Sequence, residues 1–249
     1  MNADIKQWIG KRECQEDACA VRHYPGGTLA IVCDGMGGHS FGDMASRVAT
    51  DAFIDFFETN DDMPMATRLE ESMYYANEKV GKAFAGTGSF GGTTLLAVYI
   101  GGGVMWWTSV GDSPLYLWRR GRLVRLNADH SLREVYMQYV KAGSMSYEEA
   151  VMRGHVLRSA VTGESVDMVD TPATPHPLLP GDRVLLTTDG TDDLLYTPVV
   201  TDEVRALLNN REGDLAEAIV RACEDMQHPM ADNVTVIALD WDAPKSIRY

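Results

Sequence analysis

Apolar residues recur along this chain in two rhythms, and the change from one to the other marks its elements. Residues 28–33 form a short unbroken apolar run that stops at Asp34-Gly35, which predicts a buried strand. Residues 43–58 place Ala45, Val48, Ala49, Ala52, Phe53 and Phe56 at helical spacing, so one face is to be buried. Residues 65–84 repeat that spacing with Leu69, Met73, Ala76, Val80 and Phe84. The rhythm then returns to strands over 93–100, 104–109, 115–118 and 123–126. Gly101-Gly102-Gly103 and Arg119-Arg120-Gly121-Arg122 supply the turns. Ser146-Tyr147-Glu148-Glu149 is a capping-box pattern and opens a short helix. The run 171–177 is proline-rich and reads as an extended connection inside one domain. A strand over 184–188 ends at Asp189-Gly190, helices follow over 201–209 and 215–226 with Asp214 as N-cap, and a last strand covers 233–239. Consecutive hairpins speak against an all-parallel doubly wound sheet. The expected class is α+β, with two antiparallel sheets flanked by helices.

Composition narrows the function. The 249 residues are 45% hydrophobic, enough for one sizeable core, and no run of 18 apolar residues predicts a membrane span. The N-terminal residues lack the basic and apolar segments of a signal peptide, so a cytoplasmic protein is expected. Thirty-six acids against 22 bases leave a net charge of -14, which argues against a nucleic-acid partner. The four cysteines contain no C-x-x-C pair and read as small buried side chains in a reducing compartment. No H-x-x-x-H spacing among the six histidines points to zinc.

The chemistry lies in where the aspartates fall. Asp34, Asp112 and Asp189 each follow an apolar strand, and Asp232 immediately precedes one. Three of them adjoin a glycine: Gly35, Gly111 and Gly190. Strand ends place side chains at a rim, and glycine permits close backbone approach. An Asp-Gly step is also an ordinary turn signal, so pattern alone leaves open a set of turns or a hard-cation site. If these acids converge they need cations or protons, because several like charges cannot share one site ionised. Oxygen donors suit Mg²⁺ or Mn²⁺.

Seven motifs then occur in order: Arg12-x-x-x-Glu16-Asp17, Asp34-Gly35-Met36-Gly37-Gly38-His39, Gly91-Gly92-Thr93-Thr94, Val110-Gly111-Asp112-Ser113, Asp129-His130-Ser131, Asp189-Gly190 and Asp232-Asn233. With these the chain resembles the metal-dependent protein phosphatases (type 2C), particularly compact bacterial members. The resemblance implies a four-layer αββα sandwich, one catalytic domain over 1–249 and a variable flap over about 133–164. It implies two Mg²⁺ or Mn²⁺ ions, with a possible third. Asp34 would be shared between two ions, with the Gly35 carbonyl on one and Asp189 and Asp232 on the other. Asp112 would help hold the third, and Glu16 and Asp17 would stand in or behind this set. Arg12 would hold the substrate phosphate, with Asn233, Asp193 and His39 in support. Gly92 and Thr93 read as structural.

The implied reaction is hydrolysis of phosphoserine and phosphothreonine in proteins. A phosphomonoester dianion repels hydroxide, and two cations about 3.5–4 Å apart would acidify a bridging water and neutralise the phosphate. The Arg12 fork suits two phosphate oxygens. The chain also departs from its relatives. Met36 stands where some members have a histidine, Pro114 where arginine is common and Thr191 where leucine is common. Asp192 reads as solvated. In the flap, Tyr136, Met137, Tyr139 and Met145 read as packing or as peptide contacts. The expected partners are phosphorylated proteins acted on by a monomer. A catalytically silent phosphoprotein-binding scaffold on the same fold is the alternative. A nucleotide loop at Gly35-Met36-Gly37-Gly38 is disfavoured, because Ser40 replaces the final glycine of the fingerprint.

Overall fold

A computed structural model describes residues 2–37, 40–196 and 200–242. Its strands are β1 (Asn2–Trp8), β2 (Ala18–Tyr24), β3 (Gly27–Cys33), β4 (Gly35–Met36), β5 (Gly92–Thr93), β6 (Leu95–Gly101), β7 (Val104–Val110), β8 (Leu115–Arg119), β9 (Arg122–Arg125), β10 (His176–Pro177), β11 (Asp182–Thr187) and β12 (Val234–Trp241). Its helices are α1 (Ser40–Thr59), α2 (Met65–Phe84), α3 (Arg133–Lys141), α4 (Tyr147–Gly154), α5 (Asp192–Leu195), α6 (Asp202–Asn209) and α7 (Leu215–Asp225). One antiparallel sheet runs β1-β12-β11-β8-β9 and the other β10-β7-β6-β3-β2.

Three apolar clusters define four layers. Leu29, Ile31 and Leu95 meet Phe53, Phe57, Leu69 and Met73 of α1 and α2. Val32, Leu96, Val98 and Met105 meet Leu117, Val184, Leu186 and Ile237 between the sheets. Leu185, Val236 and Tyr116 meet Val204, Leu208, Ile219 and Val220 of α6 and α7. Alternation within each strand supplies both faces, so β3 sends Leu29 and Ile31 outward to the helices and Ala30 and Val32 to the facing sheet. The architecture is the expected αββα sandwich.

Local predictions held where turn chemistry was explicit. Gly102 and Gly103 take φ of +61° and +82° between β6 and β7, which a primed hairpin turn requires. The Ser146 hydroxyl accepts from the Glu149 amide, and Asp214 accepts from the Glu217 amide. The run predicted over 93–100 is broken in two. Its break at Thr94 follows from the Thr93 and Thr94 groups bonding elsewhere: the Thr94 amide and the Thr93 hydroxyl both donate to the Asp34 carbonyl, each at 2.9 Å. Strands β1 and β2 lie outside the sequence-predicted set.

The topology gathers the acids. β3 and β7 flank β6, which is antiparallel to both, so their C-terminal ends share one edge of their sheet. β11 and β12 are antiparallel neighbours, with Thr187 opposite Val236, so the end of one adjoins the start of the other. Asp34, Asp112, Asp189 and Asp232 all leave the sandwich at the same end.

Candidate active site

At that end lies a pocket of about 610 Å³, lined by Arg12, Glu16, Asp34, Gly35, Asp112, Asp189 and Asp232 among others. Bonds from distant parts of the chain hold several of these residues. The Asp34 amide donates to the Thr94 hydroxyl at 2.9 Å, and that hydroxyl bonds Ser113 Oγ at 2.7 Å. Gly35 has no room for a side chain: a Cβ there would sit 2.3 Å from the Gly42 carbonyl oxygen and 2.4 Å from that of Glu16. Gly111, at φ +100°, turns the chain so that Asp112 enters the pocket. The Asp112 carbonyl accepts from Arg125 Nη2 at 2.8 Å.

Asn233 ties the Arg12 loop to the head of β12. Its Oδ1 accepts from the Glu16 amide at 2.7 Å, and its Nδ2 donates to the carbonyls of Ile9 and Cys14 at 2.9 and 3.0 Å. Arg12 Nη2 lies 2.5 Å from Asp232 Oδ2.

The electrostatics are those of crowded carboxylates. Burial, then repulsion from Asp189, Asp17, Asp112 and Asp232, holds Asp34 well above the usual carboxylate range. Burial and Asp189 push Asp112 up to about 8. Asp189 is raised by burial and by Asp232. Such a set either shares protons or holds cations.

The donors fit hard divalent ions. They are oxygens only, the carbonyl at Gly35 has no Cβ beside it, and Asp17 Oδ1 is buried without a hydrogen-bond partner among the described residues. No three His, Cys, Asp or Glu side chains among the described residues close into a cage by themselves.

Not every sequence candidate reaches the pocket. Asp17 is buried beneath it, with Oδ2 accepting from Thr188 Oγ1 at 3.0 Å and Thr235 Oγ1 at 2.6 Å. Burial raises it to about 7 despite those two bonds. Glu16 and Asp17 are adjacent in the segment before β2, yet Glu16 lines the pocket while Asp17 is turned beneath it. Asp193 is exposed and lines a neighbouring groove instead, because α5 begins at Asp192 and rotates each residue away from the last. Asp192 is not solvated: it pairs with buried Arg133 at 2.6 Å. Cys14 is exposed, against the expectation of four buried thiols. His39 lies outside the described residues. None of Tyr136, Met137, Tyr139 and Met145 lines the pocket.

The residues that sequence reasoning missed come from the return of the 133–164 segment, namely His155, Leu157, Arg158, Ser159 and Thr162. His155 Nδ1 stands 3.8 Å from Asp189 Oδ2 and 3.4 Å from Arg133 Nη2. Nothing near His155 in sequence signals this; helix α4 carries it there.

A two-sheet αββα sandwich with an acidic, arginine-bearing pocket at one end defines a fold and site class, and comparison with known proteins assigns the family. The protein phosphatase 2C family model matches residues 6–221, and the chain belongs to that family. It is 32% identical over 228 residues to the serine/threonine protein phosphatase PstP of Mycobacterium tuberculosis, covering 87% of this chain and 41% of that protein. The chain thus spans about two fifths of that relative's length. It is 28% identical over 222 residues to the serine/threonine phosphatase Stp of Listeria monocytogenes, covering 86% and 84%. A crystal structure of the catalytic domain of the serine/threonine protein phosphatase PstP in complex with two manganese ions superposes with a TM-score of 0.75. That match is at 27% identity and covers 97% of this chain and 98% of that one.

Proposed function

We propose that this chain is a metal-dependent phosphatase of phosphoserine and phosphothreonine in proteins, with one catalytic domain over 1–249 and a flap over about 133–164. The observation that carries this reading is the convergence of Asp34, Asp112, Asp189 and Asp232, from four separate strand ends, on one pocket with Arg12. Its relatives are named serine/threonine phosphatases, and one was crystallised with two manganese ions.

Asp34, the Gly35 carbonyl, Asp189 and Asp232 would hold two Mg²⁺ or Mn²⁺ ions, with Asp112 and Asp189 toward a third, Glu16 beside this set and Asp17 beneath it. Bound there, the ions would supply Lewis acidity, lowering the pKa of a water shared between them and offsetting phosphate charge. The chain's own residues do the rest. Arg12 grips phosphate oxygens through its planar fork and aligns phosphorus. Asn233 holds the Arg12 loop in register with Asp232. Asp193 and His39 carry no step in this account, and Met36 has no proton to give the leaving oxygen. The net charge of -14 leaves phosphoproteins, not nucleic acids, as partners. We assign the protein to the cytoplasm as a monomer; among the described residues no helix is long and apolar enough to cross a membrane.

The test is hydrolysis of p-nitrophenyl phosphate and a phosphothreonine peptide with and without Mn²⁺, with Asp189→Ala as control. Manganese-dependent turnover lost in the variant is expected. Peptide binding without turnover would instead favour a silent scaffold.

A further inference from the structure

The two most exposed large apolar side chains among the described residues are Met230, 79% exposed, and Met152, 77% exposed. They belong to different parts of the chain, yet both line one groove of about 450 Å³. That groove shares Arg12, His155, Asp189 and Asp232 with the catalytic pocket, so it is a continuation of it. Trp8, at the end of β1, and Met226, just past α7, complete its apolar lining.

The sequence places these side chains outward by construction. Helix α4 buries Ala150 and Gly154, one turn apart, which leaves Met152 on the opposite face. Met226 and Met230 stand in the segment between α7 and β12, where Gln227 takes a left-handed φ of 51°. Isolated exposed apolar residues are common and need no explanation. Three methionines and a tryptophan converging beside a phosphate-gripping arginine form a contiguous apolar surface with a specific neighbour. Methionine is unbranched and polarizable, and it adapts to side chains of differing shape.

The geometry points to this groove as a specificity subsite for the substrate polypeptide: it takes an apolar side chain that lies within a few residues of the phosphoresidue, on one side of it only. The occupant is set by continuity. A chain whose phosphate is held by Arg12 has to leave the pocket, and this groove opens from the same arginine. Exposed Asp193 at the groove disfavours an acidic side chain there. The inference rests on the phosphatase reading and deepens it from phosphoproteins in general to a sequence class.

The test is a set of phosphothreonine peptides with serine flanks in which one leucine is walked from three residues before the phosphoresidue to three after. Leucine on one side only is expected to raise kcat/KM about tenfold over the all-serine peptide, chiefly through KM, as burial of one aliphatic side chain supplies. The double substitution Met152→Ser, Met230→Ser is expected to bring the leucine-to-serine ratio close to one. Val124→Ser, which removes an exposed apolar residue on β9 outside the groove, is expected to leave the ratio as it is. The ratio is the informative readout, because a general loss of folded enzyme lowers both peptides alike. A wild-type ratio near one at every position, or a ratio that survives the double substitution, overturns the subsite while leaving the phosphatase reading standing. Failure of wild-type protein with Mn²⁺ to hydrolyse any peptide overturns that reading, and this inference with it.

Discussion

The guanidinium of Arg12 and the carboxylate of Asp232 meet at 2.5 Å, joining the loop after β1 to the residue that leads into β12. One partner is assigned to phosphate and the other to a cation. The pair therefore brings together the two halves of the proposed reaction. Both side chains are accessible, 57% and 39% exposed, so a ligand can replace either partner.

Arg12→Ala is expected to lower kcat/KM for a phosphothreonine peptide about 10- to 100-fold, the range of a lost charged hydrogen bond. Arg12→Lys restores charge but not the planar fork, so it recovers only part of that loss. Steady-state kinetics with Mn²⁺ checks both; unchanged KM and kcat in the alanine variant would remove Arg12 from the phosphate site.

Asp34→Asn is expected to abolish most turnover without unfolding the protein. In chelator it melts at or above wild type, because Asp34 is crowded by acids that repel it. Filling one site with Mn²⁺ at about 100 times Kd adds about 2.7 kcal/mol to the wild type. At about 2–4 °C per kcal/mol for a chain of this size, the melting temperature rises by about 5–10 °C. The variant shows a much smaller rise. Thermal scans with and without metal decide the matter.

Asp129 makes a pH prediction. Burial pushes it up, but Arg125, bonds from Ser131 and then Arg133 together hold it below the usual carboxylate range. Its Oδ2 lies 2.9 Å from Arg125 Nη1. A depressed folded pKa means that the unfolded chain binds more protons, so the stabilisation is present above the unfolded value, about 3.9, and fades as pH falls through the folded one. Asp129→Asn is expected to cost about 3 kcal/mol at pH 7. Urea midpoints at pH 7, 5 and 3 should show a gap from wild type that persists to pH 5 and narrows by pH 3.

The thiols should react unequally. Burial pushes Cys19 up to about 11, and Cys33 and Cys223 each up to about 12, which withholds their thiolates at neutral pH. Cys14 is exposed. Ellman's reagent at pH 8 is expected to find one fast equivalent in the native protein and four in denaturant. Cys14→Ser should remove the fast one without loss of phosphatase activity.

Much of this is legible in the sequence. Apolar runs that end in Asp-Gly marked β3 and β11 and the acids after them, because a buried strand must stop where a charge begins. Strands β1 and β2 escaped notice. Each is an edge strand with one unpaired side, and β1 carries Asn2, Asp4, Lys6 and Gln7 within its seven residues. A half-solvated edge tolerates polar residues, and Ala3 and Ile5 set between Asn2, Asp4 and Lys6 are too short an apolar alternation to announce it.

The sequence by itself determined the alternation of strands and helices, the capped helix starts, and the position of Asp34, Asp112, Asp189 and Asp232 at strand ends, because hydrophobic period and turn chemistry are local properties. Only the tertiary structure decided which acids share a pocket. Glu16 enters and Asp17 is buried beneath; Asp192 pairs with Arg133 and Asp193 faces another groove; His155 arrives from a helix far along the chain. Those outcomes depend on strand direction, on the phase of a helix and on pairing between residues as distant as Arg12 and Asp232, and no local window of sequence contains them.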